Sequence, residues 1–525
     1  MNLEVKTPFS NVTTSKSSRI QKLSKYLRPG TPSHKPSLRH ENPSTVLISE
    51  KAEPKTEHDS LAGPSEPMTS LPHTSVIAHA PGWTLFKNLY MAGGTLLIVS
   101  PSNTSFPKIR MMTSPGYHAE NTPENIALRE PTTENMDFLT PEQADQRWKI
   151  PNTGSTPYRV WSIKGNSILF NDPRQFLHHY YHFVAELLFG TWAFWYGAFT
   201  KPSSELSLSL AYSDAPFPPP IHRMIFAHSD ADGWHDDPGF DSYFLRAAFP
   251  HIAVENQRAW ADRISSTTAR SSDPASHRAW HFPVVLLADR SAAFRGAVCG
   301  SHTQRTAAEA WQYMFTQKKL IGVHAARWWD PLREAVWKFA GVDGADALNW
   351  MKQSVFQELL PLPQKVGITY ISRQSGNRRK LVQEAHDNLV ISISELVTRR
   401  RLKGNEWVFR VIDAEKISRD EQIRIAAETT IMLGVHGNGL THLVFMPPTR
   451  LSTVIEIFYP GGFAHDYQWT ATAMGMKYFN VWNDSYSALP DEPPVDYPPG
   501  FQEASIPVHG LSIAKLIEDR LDGKI

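Results

Sequence analysis

Two stretches of this chain concentrate residues able to do chemistry. "VHGNGLTH" sets His436 and His442 around Gly437, Asn438, Gly439, Leu440 and Thr441. Upstream, "ITYISR" ends on Arg373, and Arg378, Arg379 and Lys380 follow shortly after. Glycines let a backbone approach a ligand closely. The free N–H groups at a helix start face that ligand with the positive end of the dipole, an arrangement suited to a phosphate. A guanidinium at a strand's carboxyl end points into the same crevice and can grip a phosphate with two hydrogen bonds. The plainer alternative is that Asn438 or Thr441 is a cap, the glycines only make a tight turn, and Arg378 to Lys380 form a solvated loop. The spacing matches neither GxGxxG nor GxxxxGK[ST], which excludes dinucleotide and P-loop readings.

Other constellations compete. "SDADG" carries Asp230 and Asp232, two carboxylates two apart after a strand, able to hold one divalent ion and a diphosphate. The same pattern is ordinary turn chemistry. In "HHYYH", His179 and His182 are three apart beside His178, but no fourth ligand for a metal is evident. No GxSxG elbow and no HExxH is present, which sets hydrolase readings aside.

The elements that must position these residues come from periodicity. "WTLFKNLYMAGGTLLIVSPS" reads as a hairpin turning at Gly93-Gly94, and "RVWSIKGNSILFN" as a second strand pair around Gly165-Asn166. Gln175 to about Phe199 reads as one long apolar helix. "IHRMIFAHS" and "PVVLLADRSAAF" are strands, and Thr303 to Glu358 is mostly helical. After Pro363 strands and helices alternate: "KVGITYISRQ", "EWVFRVID", "IMLGVH" and "STVIEIFYP" are strands. "ISRDEQIRIAAETT" is an amphipathic helix, and "NGLTHLVFM" a short one. Such alternation predicts a parallel α/β sheet with its site at the strands' carboxyl ends.

Composition bounds the rest. The 525 residues, 41% hydrophobic and 11% aromatic, suffice for a large core and suggest two or three domains. A net charge of +1 gives no footprint for nucleic acid. The single Cys299 excludes an intramolecular disulfide and a cysteine-based zinc site. Residues 1–75 read as a disordered basic Ser/Pro-rich tail, in which "SRIQKLSKYL" could form a short amphipathic helix. No signal peptide is legible, and "GGTLLIVS" is far below the ~20 residues of a membrane span. Sequons at Asn11, Asn103 and Asn483 suit a secretory lumen.

The block "GVHGNGLTHLVFMPP" with "VIEIF", and "YISRQ…RR" upstream, closely resembles glycosyltransferase family 61. That group includes EGF-domain-specific and dystroglycan-type O-GlcNAc transferases and plant xylosyl- and arabinosyltransferases. "HHYYHFVAELLFGTWAFW", "WHDDPGFDSYFLRAAFP" and "LLADRSAAFRG" look like fungal members. The resemblance runs roughly from Gly82 to Asn483 and departs at Asn438, where the family usually has Ala.

It implies an α/β fold of GT-B type, two Rossmann-like domains facing across a cleft. Residues 76–300 would form the acceptor side, 301–362 a helical connection and 363–525 the sugar-nucleotide domain. It further implies inverting transfer from a UDP-sugar to a hydroxyl of a glycan or glycoprotein in the Golgi or ER lumen, with no metal and no cofactor. Donor binding then falls to Arg373, Arg378, His436, Gly437, Asn438, Gly439, Leu440 and Thr441, with Glu456 on ribose or sugar hydroxyls. The general base comes from His182 oriented by Glu186, four apart on one helix face, or from His436. The His182–Glu186 pair could equally be a structural hydrogen bond. A catalytically silent sugar-nucleotide or glycan-binding protein of the same fold is the alternative.

Overall fold

Strand-helix alternation in the C-terminal half builds a six-stranded sheet: β10 (Val366–Ser372), β11 (Trp407–Asp413), β12 (Ile431–Val435), β13 (Thr453–Ile457), β14 (Lys477–Trp482) and β15 (Ser485–Ser487). The order is β11-β10-β12-β13-β14-β15. All neighbours are parallel except the β14–β15 edge. The strands β12 and β13 are buried along their whole length, as expected where helices cover both faces. Chain order reverses between β10 and β12, and in such sheets the ligand crevice lies outside the carboxyl ends at that point. Arg373 follows β10 there, and His436 follows β12.

The computed structural model describes residues 65–120, 122–151, 157–200, 218–269, 276–293, 303–320, 327–342, 360–503 and 505–525. Most of the expected tail, with Asn11, and also Cys299 lie outside these. Residues 65–75 do not behave as a tail: Pro67 bridges Trp161, Met68 N–H donates to the Val160 carbonyl, and the Tyr90 hydroxyl donates to the Pro72 carbonyl.

The N-terminal half forms a mixed sheet from β1 (Ser75–Ala80), β2 (Trp83–Ala92), β3 (Thr95–Val99), β4 (Met136–Leu139), β5 (Val160–Ser162), β6 (Asn166–Phe170), β7 (Ile221–Phe226), β8 (Ala253–Glu255) and β9 (Ala279–Ala288). Its path is β4-β3-β2-β9-β6-β7-β8, with β1 on β2 and β5 on β9. The β2–β3 hairpin turns at Gly93 and Gly94, both at positive φ, as the glycine pair predicts. The expected pairing of β5 with β6 does not occur, because each lies parallel to β9 instead. Gly165 therefore marks a bend between two partners of one strand rather than a hairpin.

One apolar core runs between the two sheets. It joins Phe183, Trp192 and Trp234 to Trp328, Trp329, Met432 and Phe445. Directed hydrogen bonds cross the same seam: Trp329 Nε1 donates to the Val444 carbonyl and Trp337 Nε1 to that of Phe445, both at 2.9 Å. The expected continuous helix from Gln175 is divided into a 3-10 turn (Arg174–Phe176), a π-helix (Tyr181–Leu188) and an α-helix (Phe189–Phe199). The short helix after β12 is 3-10 in character, Asn438–Phe445.

Candidate active site

The π-helix and the turn after β12 meet at the seam. Tyr181 N–H donates to Asn438 Oδ1 at 3.3 Å, and the Tyr180 hydroxyl bonds His442 Nδ1 at 3.1 Å. The Gln422 carboxamide spends its nitrogen on the Ala414 and Ile417 carbonyls, so its oxygen accepts from His442 Nε2 at 2.8 Å. His442 is thus a neutral cross-brace, its basicity lowered to about 3 by burial. Asn438 serves the same junction, an acceptor that an alanine there would lack.

His182 and Glu186 form the hydrogen bond their spacing predicts, Nδ1 to Oε2 at 2.6 Å. Glu186 is fully enclosed, while the His182 side chain keeps 22% of its surface. Arg290 Nη1 donates to the other Glu186 oxygen at 2.7 Å and is itself held by Asp172 at 2.6 Å. Burial alone would push the Glu186 carboxyl up; Arg290 and His182 outweigh it and hold it below its ordinary value. The carboxylate is therefore ionised and accepts the Nδ1 hydrogen, and in the neutral ring the lone pair then falls on His182 Nε2. π-Helical turns occur often at functional sites.

His436 makes a superficially similar bond, Nδ1 to Glu456 Oε1 at 2.5 Å, with its ring stacked on Phe458. The electrostatics are opposite. Burial lowers His436 to about 4, and burial raises Glu456 to about 8 against the Tyr478 hydroxyl and Arg379. Burial thus favours the neutral form of each group. The proton in the bond is then Glu456's, and His436 Nε2 carries a hydrogen. Glu456, whose second oxygen accepts from Tyr478, has no free face for a ligand hydroxyl and holds His436 instead.

Arg373 emerges from β10 over Gly437: a Cβ there would collide with Arg373 Nη1, and Gly437 takes a φ of 154° that side-chain-bearing residues rarely adopt. Arg379 approaches the same place, its backbone at a φ of 48°. The Nε atoms of both arginines are buried and have no hydrogen-bond partner among the described residues. Burial and the neighbouring Arg379 lower the Arg373 guanidinium below its ordinary value. Two half-buried cations side by side, unsatisfied and mutually repelling, make an anion receptor. The expected Arg378 is exposed, with no buried atom facing the crevice among those left unpartnered. Its neighbour takes the role, a choice set by loop backbone that the "RR" pair does not reveal.

Three expected residues are packing rather than contact groups. Leu440 is buried, Thr441 is buried beside the Tyr467 hydroxyl, and a Cβ on Gly439 would stand 2.7 Å from Ile371 Cγ2. The sequence reading missed Asp466, at the start of the helix Asp466–Ala473. Its Oδ1 is buried without a partner among the described residues, and burial pushes the carboxyl up to about 6 against the pull of His436 and His182. It is thus the group within electrostatic reach of both histidines. No motif surrounds it in "AHDYQWT". As to the acid pair, Asp230 is exposed and paired with Arg174 at 3.0 Å, and Asp232 is exposed. His178 is exposed and bonds the Arg174 carbonyl. Among the described residues no three His, Cys, Asp or Glu side chains are grouped to hold a metal.

Residues 180–455, just over half of the chain, match the family Glycosyltransferase 61. The chain belongs to this family. The match takes in the π-helix, Arg373, Arg379 and the turn after β12. An EGF domain-specific O-linked N-acetylglucosamine transferase of Drosophila melanogaster is 34% identical over 87 residues, which span 17% of this chain and 15% of that protein.

Proposed function

We propose that this family 61 protein is an inverting, metal-independent glycosyltransferase that moves a sugar from a UDP-sugar to a hydroxyl of a glycan or glycoprotein. The observation that carries the reading is the unsatisfied pair Arg373 and Arg379 at the switch point of the parallel sheet, with the His182–Glu186–Arg290 chain on the adjoining element. In the reaction the acceptor oxygen bonds to the anomeric carbon from the face opposite the diphosphate. The carbon–oxygen bond to the diphosphate breaks, and the hydroxyl proton passes to His182 Nε2. Glu186 stabilises the imidazolium that forms. The two guanidiniums and the His436 Nε2 hydrogen meet the charge that develops on the leaving group, the task a divalent ion performs in other transferases. In this reading Asp466, with its unpartnered oxygen, accepts a donor-sugar hydroxyl.

The architecture we infer is GT-B-like, with residues 76–300 on the acceptor side, 301–362 connecting and 363–525 holding the nucleotide. A secretory lumen is proposed from the family and from the exposed sequons Asn103 and Asn483. No helix of the described residues is long and apolar enough to cross a membrane.

The test is thermal unfolding with UDP, with and without EDTA, followed by UDP release assays across common UDP-sugars. Ligand at 100 times its dissociation constant should stabilise by about 2.7 kcal/mol. The shift should survive EDTA and the Asp230→Ala/Asp232→Ala double substitution. Dependence on manganese that this double variant abolishes would overturn the metal-independent reading. UDP binding with no turnover of any donor would favour the silent binding protein.

A further inference from the structure

We propose that the N-terminal sheet carries a second ligand site, a cavity that takes a single neutral sugar ring and is separate from the nucleotide crevice. The cavity, of about 260 Å³, lies on the face of the sheet turned away from the π-helix. Leu169 and Ala227 line it, whereas their chain neighbours Phe170 and Phe226 face the core under the π-helix, as strand alternation requires. At about 30 Å³ per water its volume equals roughly eight or nine waters, below the ~300 Å³ where sites for larger molecules begin. One ring fits within it.

The lining specifies the chemistry. The helix Gln257–Thr267 presents Gln257, Trp260, Ala261 and Ile264 to the cavity, spaced i, i+3, i+4, i+7 along one face. The Gln257 carboxamide has no hydrogen bond among the described residues, so it offers a donor and an acceptor together. Opposite it, Asn171 Nδ2 donates to the Ser114 carbonyl at 2.8 Å and to Asp289 at 2.7 Å. That orientation makes Asn171 Oδ1 the acceptor of the 2.8 Å bond from His228 Nε2, and the His228 Nδ1 lone pair is left to accept. His228 is held neutral by burial and packed against Gly116, where a Cβ would strike its ring. Among the described residues no Lys, Arg, Asp or Glu lines the cavity, which disfavours phosphates, carboxylates and cations alike. Planar amides, an imidazole acceptor and an indole wall are the groups that recognise a neutral polyol with an apolar face.

The experiment is saturation-transfer NMR on the full chain with D-xylose, D-glucose and N-acetyl-D-glucosamine, each with and without saturating UDP. At least one sugar should give transfer that UDP leaves unchanged. Gln257→Ala should weaken that sugar's binding by about tenfold, the effect of losing a neutral hydrogen bond. Ala261→Trp, at an exposed position of the helix, should fill the cavity and abolish transfer with the thermal midpoint retained. Absence of transfer for all three sugars would overturn the proposal, as would transfer that UDP displaces or that survives Ala261→Trp. The site stands apart from the nucleotide reading: a protein that ignores UDP yet binds a sugar here would refute that reading and leave this one intact.

Discussion

Replacing Arg373 by alanine separates a ligand receptor from a structural cation, because the two roles predict opposite signs. In the free protein Arg373 makes no contact ion pair among the described residues, its Nε is buried and unbonded there, and the repulsion of Arg379 outranks the attraction of Glu415. Removing an uncompensated, partly buried charge relieves desolvation and repulsion, so the free variant should unfold at the same temperature or higher. A structural arginine would do the reverse. With UDP present the guanidinium loses a hydrogen bond to a charged group, about 1.5–3 kcal/mol, which is roughly a tenfold to 150-fold rise in dissociation constant. Arg379→Ala should act likewise. If both cations grip one diphosphate, their effects should fail to add, with a coupling of about 0.5–3 kcal/mol in the double variant. Titration calorimetry with UDP in EDTA reads the affinities, and differential scanning calorimetry of the free variants reads stability. A destabilised free protein with unchanged UDP affinity would refute the reasoning outright.

The other predictions address separate links. His182→Gln should lower turnover roughly 10²- to 10⁴-fold while UDP binding stays within error; initial rates at saturating donor test this, and normal turnover would remove His182 as base. Gly437→Ala should lower UDP affinity as Arg373→Ala does, because its Cβ displaces the guanidinium, and should cost about 1–3 kcal/mol in backbone strain. Urea unfolding and calorimetry on the one variant separate the two effects. Asp241 is enclosed with both oxygens unbonded among the described residues, and burial, then Asp236, raise it from 3.8 to about 10. Its contribution to stability is therefore fully present below about 3.8 and is lost as pH rises toward about 10. Asp241→Asn should flatten that decline, and urea midpoints at pH 5 and pH 9 that fall equally in both proteins would contradict it.

The sheet that carries the crevice was legible because its strands are short apolar runs separated by amphipathic helices, and burial on both faces imposes that pattern. "IMLGV" and "TVIEI" could hardly be anything else. The His182–Glu186 bond was legible from spacing alone, since four residues on any helical coil bring the side chains together. The π-helical geometry was not, because residue spacing does not distinguish an α- from a π-helical turn, and the contact of Tyr181 with Asn438 joins segments far apart in the chain. The same limit explains Gly165, where a hairpin signal carries no information about which strand becomes the partner. Arg379 rather than Arg378 depends on one positive φ in a loop, and Asp466 reaches the histidines only through the packing of its helix on the C-terminal sheet and against the π-helix.

The two histidine–glutamate pairs show why residue type cannot assign the base. Each places Nδ1 against a carboxyl oxygen at 2.5–2.6 Å, and each sits at the seam between the sheets. What differs is the third partner. Glu186 has Arg290 on its far oxygen, a cation that keeps it ionised and turns His182 into a proton acceptor at Nε2. Glu456 has Tyr478, a neutral donor that cannot offset burial, so the carboxyl keeps its proton and His436 becomes a donor at Nε2. The acceptor tautomer lies on the element that belongs with the first sheet, and the donor tautomer follows β12 beside Arg373. An inverting transfer needs just this division, a lone pair toward the attacking hydroxyl and hydrogens toward the departing diphosphate. Exchanging the roles would require moving Arg290, which follows β9 in the other sheet and is locked by Asp172, rather than changing either histidine.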